Sequence, residues 1–287
     1  MFLFPPFLVF SWRTTMTSMK SRCKQTALAS LALIGLGVSS LSVAGTVTLT
    51  GTIRDFCAPS ITGPSACTQL SDFEGAIPGV VTGMVGSTLS SGLPTAGANI
   101  GAGASSAANF AKWFVDSPGF NLPTPTSLTL TEGPPGTYTY SNGSFFPIDG
   151  QLYGDQGRSH NYHFTMHLEG QVAFSDPTAG ADRSFSFTGD DDLWIFVDGK
   201  LMMDLGGVHG AVSGSFTEED LKAQGLVAGT LYDLDIFFAE RHTSASSFAI
   251  TTTLEVAAPP SGVPEPTTML LSLSALGALF ARRRQRS

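Results

Sequence analysis

The sequence predicts an all-β fold, an antiparallel β-sandwich or jelly roll with few short helices. Three observations carry this. Roughly ten short runs alternate apolar and polar residues with a period of two, which is the signal of a strand with one buried face. Turn residues separate these runs at short intervals. The composition, with 32 Gly and 21 Phe among 287 residues and only 13% charged residues, disfavours a helical core.

Taken in order, residues 46–53 alternate Val47, Leu49, Gly51 and Ile53 against Thr46, Thr48, Thr50 and Thr52, a half-buried strand that Arg54-Asp55-Phe56 ends. Residues 79–108 are Gly, Ser, Ala and Thr with almost no charge, and read as a long low-complexity surface loop. Residues 109–121 (NFAKWFVDSPGFN) read as one helical turn and a Pro-Gly turn, with Phe110, Trp113 and Phe114 on one face. Residues 127–130 and 137–140 are strands on either side of a Gly-Pro-Pro-Gly turn. In the long strand 162–174, Phe164, Met166, Leu168, Val172 and Phe174 face one way, and His163, Thr165, His167, Glu169 and Gln171 the other. Residues 184–188 form a short strand with Phe185 and Phe187 on one face.

The run Leu193-Trp194-Ile195-Phe196-Val197 is apolar at every position, so it predicts a strand covered on both faces. Asp198-Gly199 predicts a type I′ hairpin turn, and residues 200–205 return as the partner strand. Thr217 caps a short turn before Leu221. Residues 231–240 point Tyr232, Leu234, Ile236 and Phe238 inward, with Phe237 breaking the alternation. Residues 247–256 close the domain with Phe248, Ile250, Thr252, Leu254 and Val256 on one face. No internal repeat or second domain boundary interrupts this body.

Both ends read as processing signals. A basic patch at residues 20–24, an apolar segment at 27–38 and Ser42-Val43-Ala44 form a tripartite secretory signal over residues 1–44. Cleavage follows Ala44, and Met1, Met16 and Met19 are alternative starts. Residues 257–262 form a Pro/Gly/Ser linker. Val263-Pro264-Glu265-Pro266 then precedes an apolar stretch, 267–281, and an Arg cluster. That stretch is shorter than the ~20 residues that span a bilayer comfortably. Eight of the fifteen basic residues lie in these end segments, so residues 45–262 carry 7 basic against 22 acidic residues, a balance of −15. Such a body is a poor partner for nucleic acid. Cys57 and Cys67 are the only cysteines outside the signal; in an oxidising compartment two lone cysteines usually pair. Free thiols or a metal pair are the alternatives.

The chemistry concentrates at Asp190-Asp191-Asp192, three carboxylates at the mouth of the most apolar hairpin. Adjacent like charges repel, and a hard cation with oxygen ligands, Ca²⁺ first, would compensate them. Acidic runs also end strands and stay solvated, and the triplet alone does not decide between these readings. Asp204, Glu240 and Ser244 are further ligand candidates by loop position, and His209, Arg241, His242 and Ser244 are candidate ligand contacts around them. The histidines do not predict zinc: His160 faces away from His163 and His167 on a strand, and no HExxH motif occurs. Contiguous carboxylates suit a shared ion better than the separated acid and base of a glycosidase. With no Gly-x-Ser-x-Gly elbow, no enzyme is expected.

Eight blocks, GTIRDF (51–56), SDFE (71–74), NFAKWFVDSPGFN (109–121), FFPIDG (145–150), HNYHFT (160–165), GDDDLWIFVDGKLMMDLGGVHG (189–210), FFAERHTSASSF (237–248) and ITTTLE (250–255), resemble the successive motifs of the fibro-slime domain. That family is similar to the protective-antigen-type β-sandwich of toxins, glycosidases and flocculation adhesins. In such adhesins two successive Asp residues, joined by a cis peptide, hold Ca²⁺, and the ion bridges to sugar hydroxyls. The resemblance implies this role for Asp190 and Asp191, with Asp192 where a small residue is frequent. The order VPEP, apolar stretch, Arg cluster over 263–287 resembles the PEP-CTERM sorting signal of Gram-negative bacteria. It implies transient membrane insertion, exosortase cleavage near Pro264-Glu265-Pro266 after signal-peptidase processing, and delivery to the cell surface or extracellular matrix. The expected function is Ca²⁺-dependent binding of extracellular polysaccharide by a secreted adhesion protein. The alternatives are a purely structural matrix or biofilm component with a stabilising Ca²⁺ and protein–protein contacts, and, less favoured, a carbohydrate-active enzyme.

Overall fold

The computed structural model describes residues 45–57, 67–134, 136–175 and 182–260. The secretory signal at 1–44 and the sorting signal at 263–287, with Ala44, Pro264, Glu265 and Pro266, lie outside the described residues. Among the described residues no helix is long and apolar enough to cross a membrane.

The elements run β1 (Thr46–Phe56), β2 (Val85–Ser90), β3 (Leu93–Ala96), α1 (Ile100–Gly103), α2 (Ala107–Phe110), β4 (Asn121–Glu132), β5 (Tyr138–Asn142), β6 (Phe164–Ala173), β7 (Ser184–Gly189), β8 (Asp192–Val197), β9 (Lys200–Leu205), β10 (Val212–Thr217), α3 (Glu218–Ala223), β11 (Tyr232–Glu240), β12 (Phe248–Thr252) and β13 (Glu255–Ala257). The all-β expectation holds. The strands form one hydrogen-bonded ladder in the order β10-β7-β12-β5-β4-β1-β6-β11-β8-β9-β2-β3, with β13 beside β6. The ladder curls until β10 meets β9, where Gly214 lies so close to Met203 and Leu205 that a Cβ would sit 3.0 Å from the Met203 sulfur. The sandwich is therefore a single twisted sheet folded over its own core.

That core takes the period-two residues read from the sequence. Leu49 and Ile53 of β1, Met166 and Leu168 of β6, Phe185 and Phe187 of β7, Leu234, Ile236 and Phe238 of β11, and Phe248 and Ile250 of β12 all enter it. A second core lies on the opposite face of β8 and β11. It packs Trp194, Phe196 and Phe237 against Phe56, Phe73, Met84, Phe110, Trp113 and Phe114. This explains the unbroken apolar run of β8, all six of whose residues are buried, and the out-of-step Phe237.

Two expectations need correction here. Residues 79–108 are not a featureless surface loop. They form the β2–β3 hairpin, with Ser91 and Gly92 at positive φ as its turn, and α1, and they bury Met84, Val85 and Ala104 in the second core. Their apolar residues are too sparse to show a period, but Met84, Val85 and Ala104 join the same buried cluster as Trp194 and Phe196. β4 also starts earlier than its reading from residue 127, through Pro123 and Pro125. Over that stretch it pairs only with β1, and β5 joins it at Thr131 and Glu132. The proline positions thus lie on a free edge, where a missing N–H costs no ladder bond.

Other local readings hold. Asp198 and Gly199 have φ of 53° and 68°, the signature of the predicted turn. Thr217 and Asp220 form a reciprocal capping box on α3. Cys57 and Cys67 are joined in a disulfide.

Candidate functional site

Three loops meet where β7 passes into β8. The first is Asp190-Asp191, the second follows β9 through Val208, His209 and Gly210, and the third follows β11 from Arg241 to Ala245. With Ile77 they line a shallow cavity of about 120 Å³. The Asp190 and Asp191 backbones are held by the Ser247 and His209 carbonyls, at 3.4 and 3.3 Å. Asp191 has a φ of 57°, a left-handed conformation that Asp tolerates better than most side chains. This bend separates the fates of the three neighbouring carboxylates.

Asp190 accepts one hydrogen bond, from the Ser247 N–H. Asp191 accepts from His209 N (3.3 Å), Arg241 N (2.7 Å) and His242 N (3.1 Å). Burial, then the charge of Asp192, pushes the Asp191 carboxyl up to about 6. Glu240, the last residue of β11, is fully buried, with one oxygen 3.3 Å from His242 N and the other without a hydrogen-bond partner. Burial raises Glu240 well above the usual carboxylate range, and the charges of Asp191 and Asp190 add to this. Asp190, Asp191 and Glu240 thus form a buried acidic cluster in which, among the described residues, no side chain makes an ion pair, and the Arg241 charge, already paired with Asp192, only eases Asp191.

Asp192 departs from the expected triad. Its side chain is fully buried, with one oxygen on Gly207 N and the other on Arg241 Nε, both at 2.5 Å. Its lone pairs are directed into this internal ion pair and away from the cavity. Arg241, expected as a ligand contact, is only 2% exposed. Its Nη1 donates to the Asp72 and Gly103 carbonyls (3.1 and 2.9 Å), and its guanidinium lies 4.6 Å over the Trp113 ring. Its side chain is a structural post and its backbone N–H belongs to the site. Asp204 is not at the site either; its carboxylate accepts from Gly83 N (2.6 Å) and Trp194 Nε1 (2.9 Å) and ties β9 to the second core.

His209, His242 and Ser244 do line the cavity. The His209 ring nitrogens lie 2.9 and 3.2 Å from the Gly210 and Leu205 carbonyls, and His242 Nδ1 lies 3.0 Å from Thr243 O.

Sequence reasoning passed over Glu74, which fixes the third loop from beneath. Its N–H donates to Arg241 O at 2.7 Å, and its carboxylate accepts from Thr243 N (2.9 Å) and Arg158 (2.6 Å) and bonds His163 Nε2 (2.9 Å). Burial alone would raise Glu74, but the bonds from His163 and Thr243 and the Arg158 charge bring it below its ordinary value. His163 is pushed down to about 4 by burial, against the pull of Glu74. The one sequence signal was the SDFE block, which placed two acids beside an aromatic without indicating their partners. Glu74→Ala is expected to cost about 1–3 kcal/mol, since it strands buried donors. Urea denaturation checks this, and loop 241–245 should become the first site of proteolysis.

The chain is 36% identical over 206 residues to protein psiQ of Dictyostelium discoideum, covering 66% of this chain and 20% of that protein. It is 41% identical over 153 residues to protein psiD of the same organism, covering 50% and 29%. The chain spans less than a third of the length of either relative. Among solved structures it is similar to a PA14 sugar-binding domain from an RTX adhesin, at 11% identity and a TM-score of 0.33, over 74% of this chain and 95% of that one. Residues 153–266, from the glycine-rich loop before β6 through the acidic cluster and beyond β13, match the family model of the PA14 domain.

Proposed function

We propose that this protein is a non-enzymatic, extracellular carbohydrate-binding domain of adhesin type, and that Asp190 and Asp191, backed by Glu240, hold a Ca²⁺ ion at the glycan contact. The observation that carries the reading is the gathering of three buried acids, Asp190, Asp191 and Glu240, each raising the others' cost of ionisation, with no ion pair to any of them among the described residues. Ionising several buried carboxyls together is costly unless something compensates them, and a divalent cation with oxygen ligands would do so. Bound there, the ion would supply Lewis-acidic positions for pairs of sugar hydroxyl oxygens. The chain's own residues orient the acids through the Ser247, His209, Arg241 and His242 N–H groups. Ile77, 62% exposed at the rim, offers an apolar surface to the face of a pyranose ring. The PA14 match over the cluster supports the reading, as does the secretory signal in the sequence. In this proposal the PEP-CTERM-like tail directs export and surface sorting, and the partners are exopolysaccharides or other glycans.

The test is calorimetric titration of the purified chain with Ca²⁺, followed by a glycan array with and without chelator. Asp190→Asn is the informative variant, because Asp190 accepts only one N–H and an amide oxygen can replace that acceptor. In Asp191→Asn an amide NH₂ would face backbone donors, so that variant loses stability together with the ion. The expected results are one Ca²⁺ per chain, glycan binding lost with chelator, and at least a tenfold weaker Ca²⁺ affinity in Asp190→Asn, about 1.4 kcal/mol. A glycan signal indifferent to chelator and to Asp190→Asn would remove the reading. Calcium that raises the melting temperature without any glycan signal would leave a structural matrix protein.

A further inference from the structure

Apart from this cavity, a group of metal-capable side chains lies on the sheet itself. His167 and Glu169 stand two residues apart on β6, on the face opposite the first core. Asp235 of β11 is the direct cross-strand neighbour of Glu169. One ligand atom from each of the three, a ring nitrogen and two carboxylate oxygens, lies within 4.8 Å of the others. Directly opposed strand positions bring side chains within contact, and a diagonal neighbour is in reach of a long one.

The histidine is held for this task. Its ring stacks on Phe237 at 4.1 Å and 13°, so the second core fixes the ring plane. Its Nε2 lies 2.8 Å from Asp235 Oδ1, and both side chains are 15% exposed. Glu169 is exposed at the open side and forms no ion pair among those described. The nearest basic side chain on the flanking β1 strand, Arg54, is engaged with Asp116 at 2.9 Å. The flanking β1 residues opposite Glu169 and His167 are Thr50 and Thr52, neither of which carries charge.

The geometry points to a divalent transition-metal site formed by His167, Glu169 and Asp235, distinct from the acidic cluster in position and in ion preference. One imidazole nitrogen with two carboxylates favours a borderline ion such as Zn²⁺ over Ca²⁺, which takes oxygen alone. Zinc bonds to such ligands are about 2.0–2.2 Å, so two ligands of one ion stand no more than about 4.4 Å apart. The three atoms lie within 4.8 Å, so reaching that limit takes about 0.4 Å, which the exposed Glu169 side chain supplies. The ion takes the place of the hydrogen bond between His167 Nε2 and Asp235 Oδ1. Three protein ligands leave at least one position toward solvent, open to a water or to a donor from another molecule. None of this depends on glycan binding at Asp190 and Asp191.

The experiment titrates the purified untagged chain with Zn²⁺ by calorimetry, with Ca²⁺ in excess to occupy oxygen-only sites. The expected result is one Zn²⁺ per chain, and with Co²⁺ as probe a visible absorption band. His167→Gln should weaken Zn²⁺ by on the order of 100-fold and abolish the band, since even outer-shell losses cost 10–100-fold. Glu169→Gln, at an exposed position that the fold does not need, should weaken it at least about tenfold. Asp190→Asn should leave it unchanged. Should His167→Gln fail to fold by circular dichroism, Glu169→Gln decides alone. Failure to saturate at millimolar Zn²⁺, or equal binding by parent and Glu169→Gln, overturns the site. Loss of Ca²⁺ binding in Asp190→Asn with Zn²⁺ binding intact separates the two proposals.

Discussion

Arg241→Met is expected to destabilise the folded domain by about 3–5 kcal/mol, because it leaves the Asp192 carboxylate buried without its counter-charge. Asp192 has no solvent exposure, and after the substitution only the Gly207 N–H would remain to solvate it. The loss extends beyond one ion pair. The same guanidinium satisfies the Asp72 and Gly103 carbonyls and covers the Trp113 ring, so the two segments that carry Asp72 and Gly103 lose their common support. Arg241→Lys should not rescue, since an ammonium cannot reproduce the fork of donors or lie flat on the indole. The double variant Asp192→Leu with Arg241→Met should recover part of the loss, because replacing both members of a buried pair removes the stranded charge. Urea denaturation of the parent, the single variants and the double variant measures this. A cost below about 1 kcal/mol for Arg241→Met would mean that the pair behaves like a solvated surface bridge.

Gly51→Ala is the second large effect. Gly51 of β1 faces Leu168 of β6, and a Cβ there would lie 1.8 Å from the His167 carbonyl oxygen and 2.9 Å from the Leu168 Cα. Both obstacles are backbone, so no rotamer change relieves them, and the two strands must part in the centre of the ladder. The expected cost is about 3 kcal/mol or more, a fall in Tm of roughly 6–12 °C for a domain of this size. Thr50→Ala, at the exposed neighbouring position, should cost about 1 kcal/mol at most. A thermal melt of the two variants side by side checks the contrast, and equal melting temperatures would show that β1 and β6 are not packed this closely.

The alternation that marked β6, β11 and β12 is local physics: a strand puts successive side chains on opposite faces, and one face must be apolar. The Asp198-Gly199 turn and the Thr217 cap are local in the same sense, and the structure reproduces both. The reading of 79–108 failed because Met84, Val85 and Ala104 are apolar for the sake of Trp194 and Phe196, which lie far along the chain. The same distance explains why Phe237 looked misplaced; it serves a second core whose other half comes from residues 56–114.

The acidic run was legible as a site, and the roles within it were not. Three identical side chains at consecutive positions carry no sequence mark that separates Asp190 from Asp192. The distinction comes from Arg241, 49 residues on, which β11 brings alongside β8 and which takes Asp192 into the core. Glu74 is bound to its loop across 169 residues. By itself, then, the sequence determined the strand class, the turns and the location of concentrated negative charge, since each depends on near neighbours or on composition. Only the tertiary structure decided which of those charges are neutralised and which stay uncompensated in the interior, because charge compensation depends on distance in space and the antiparallel ladder sets that distance.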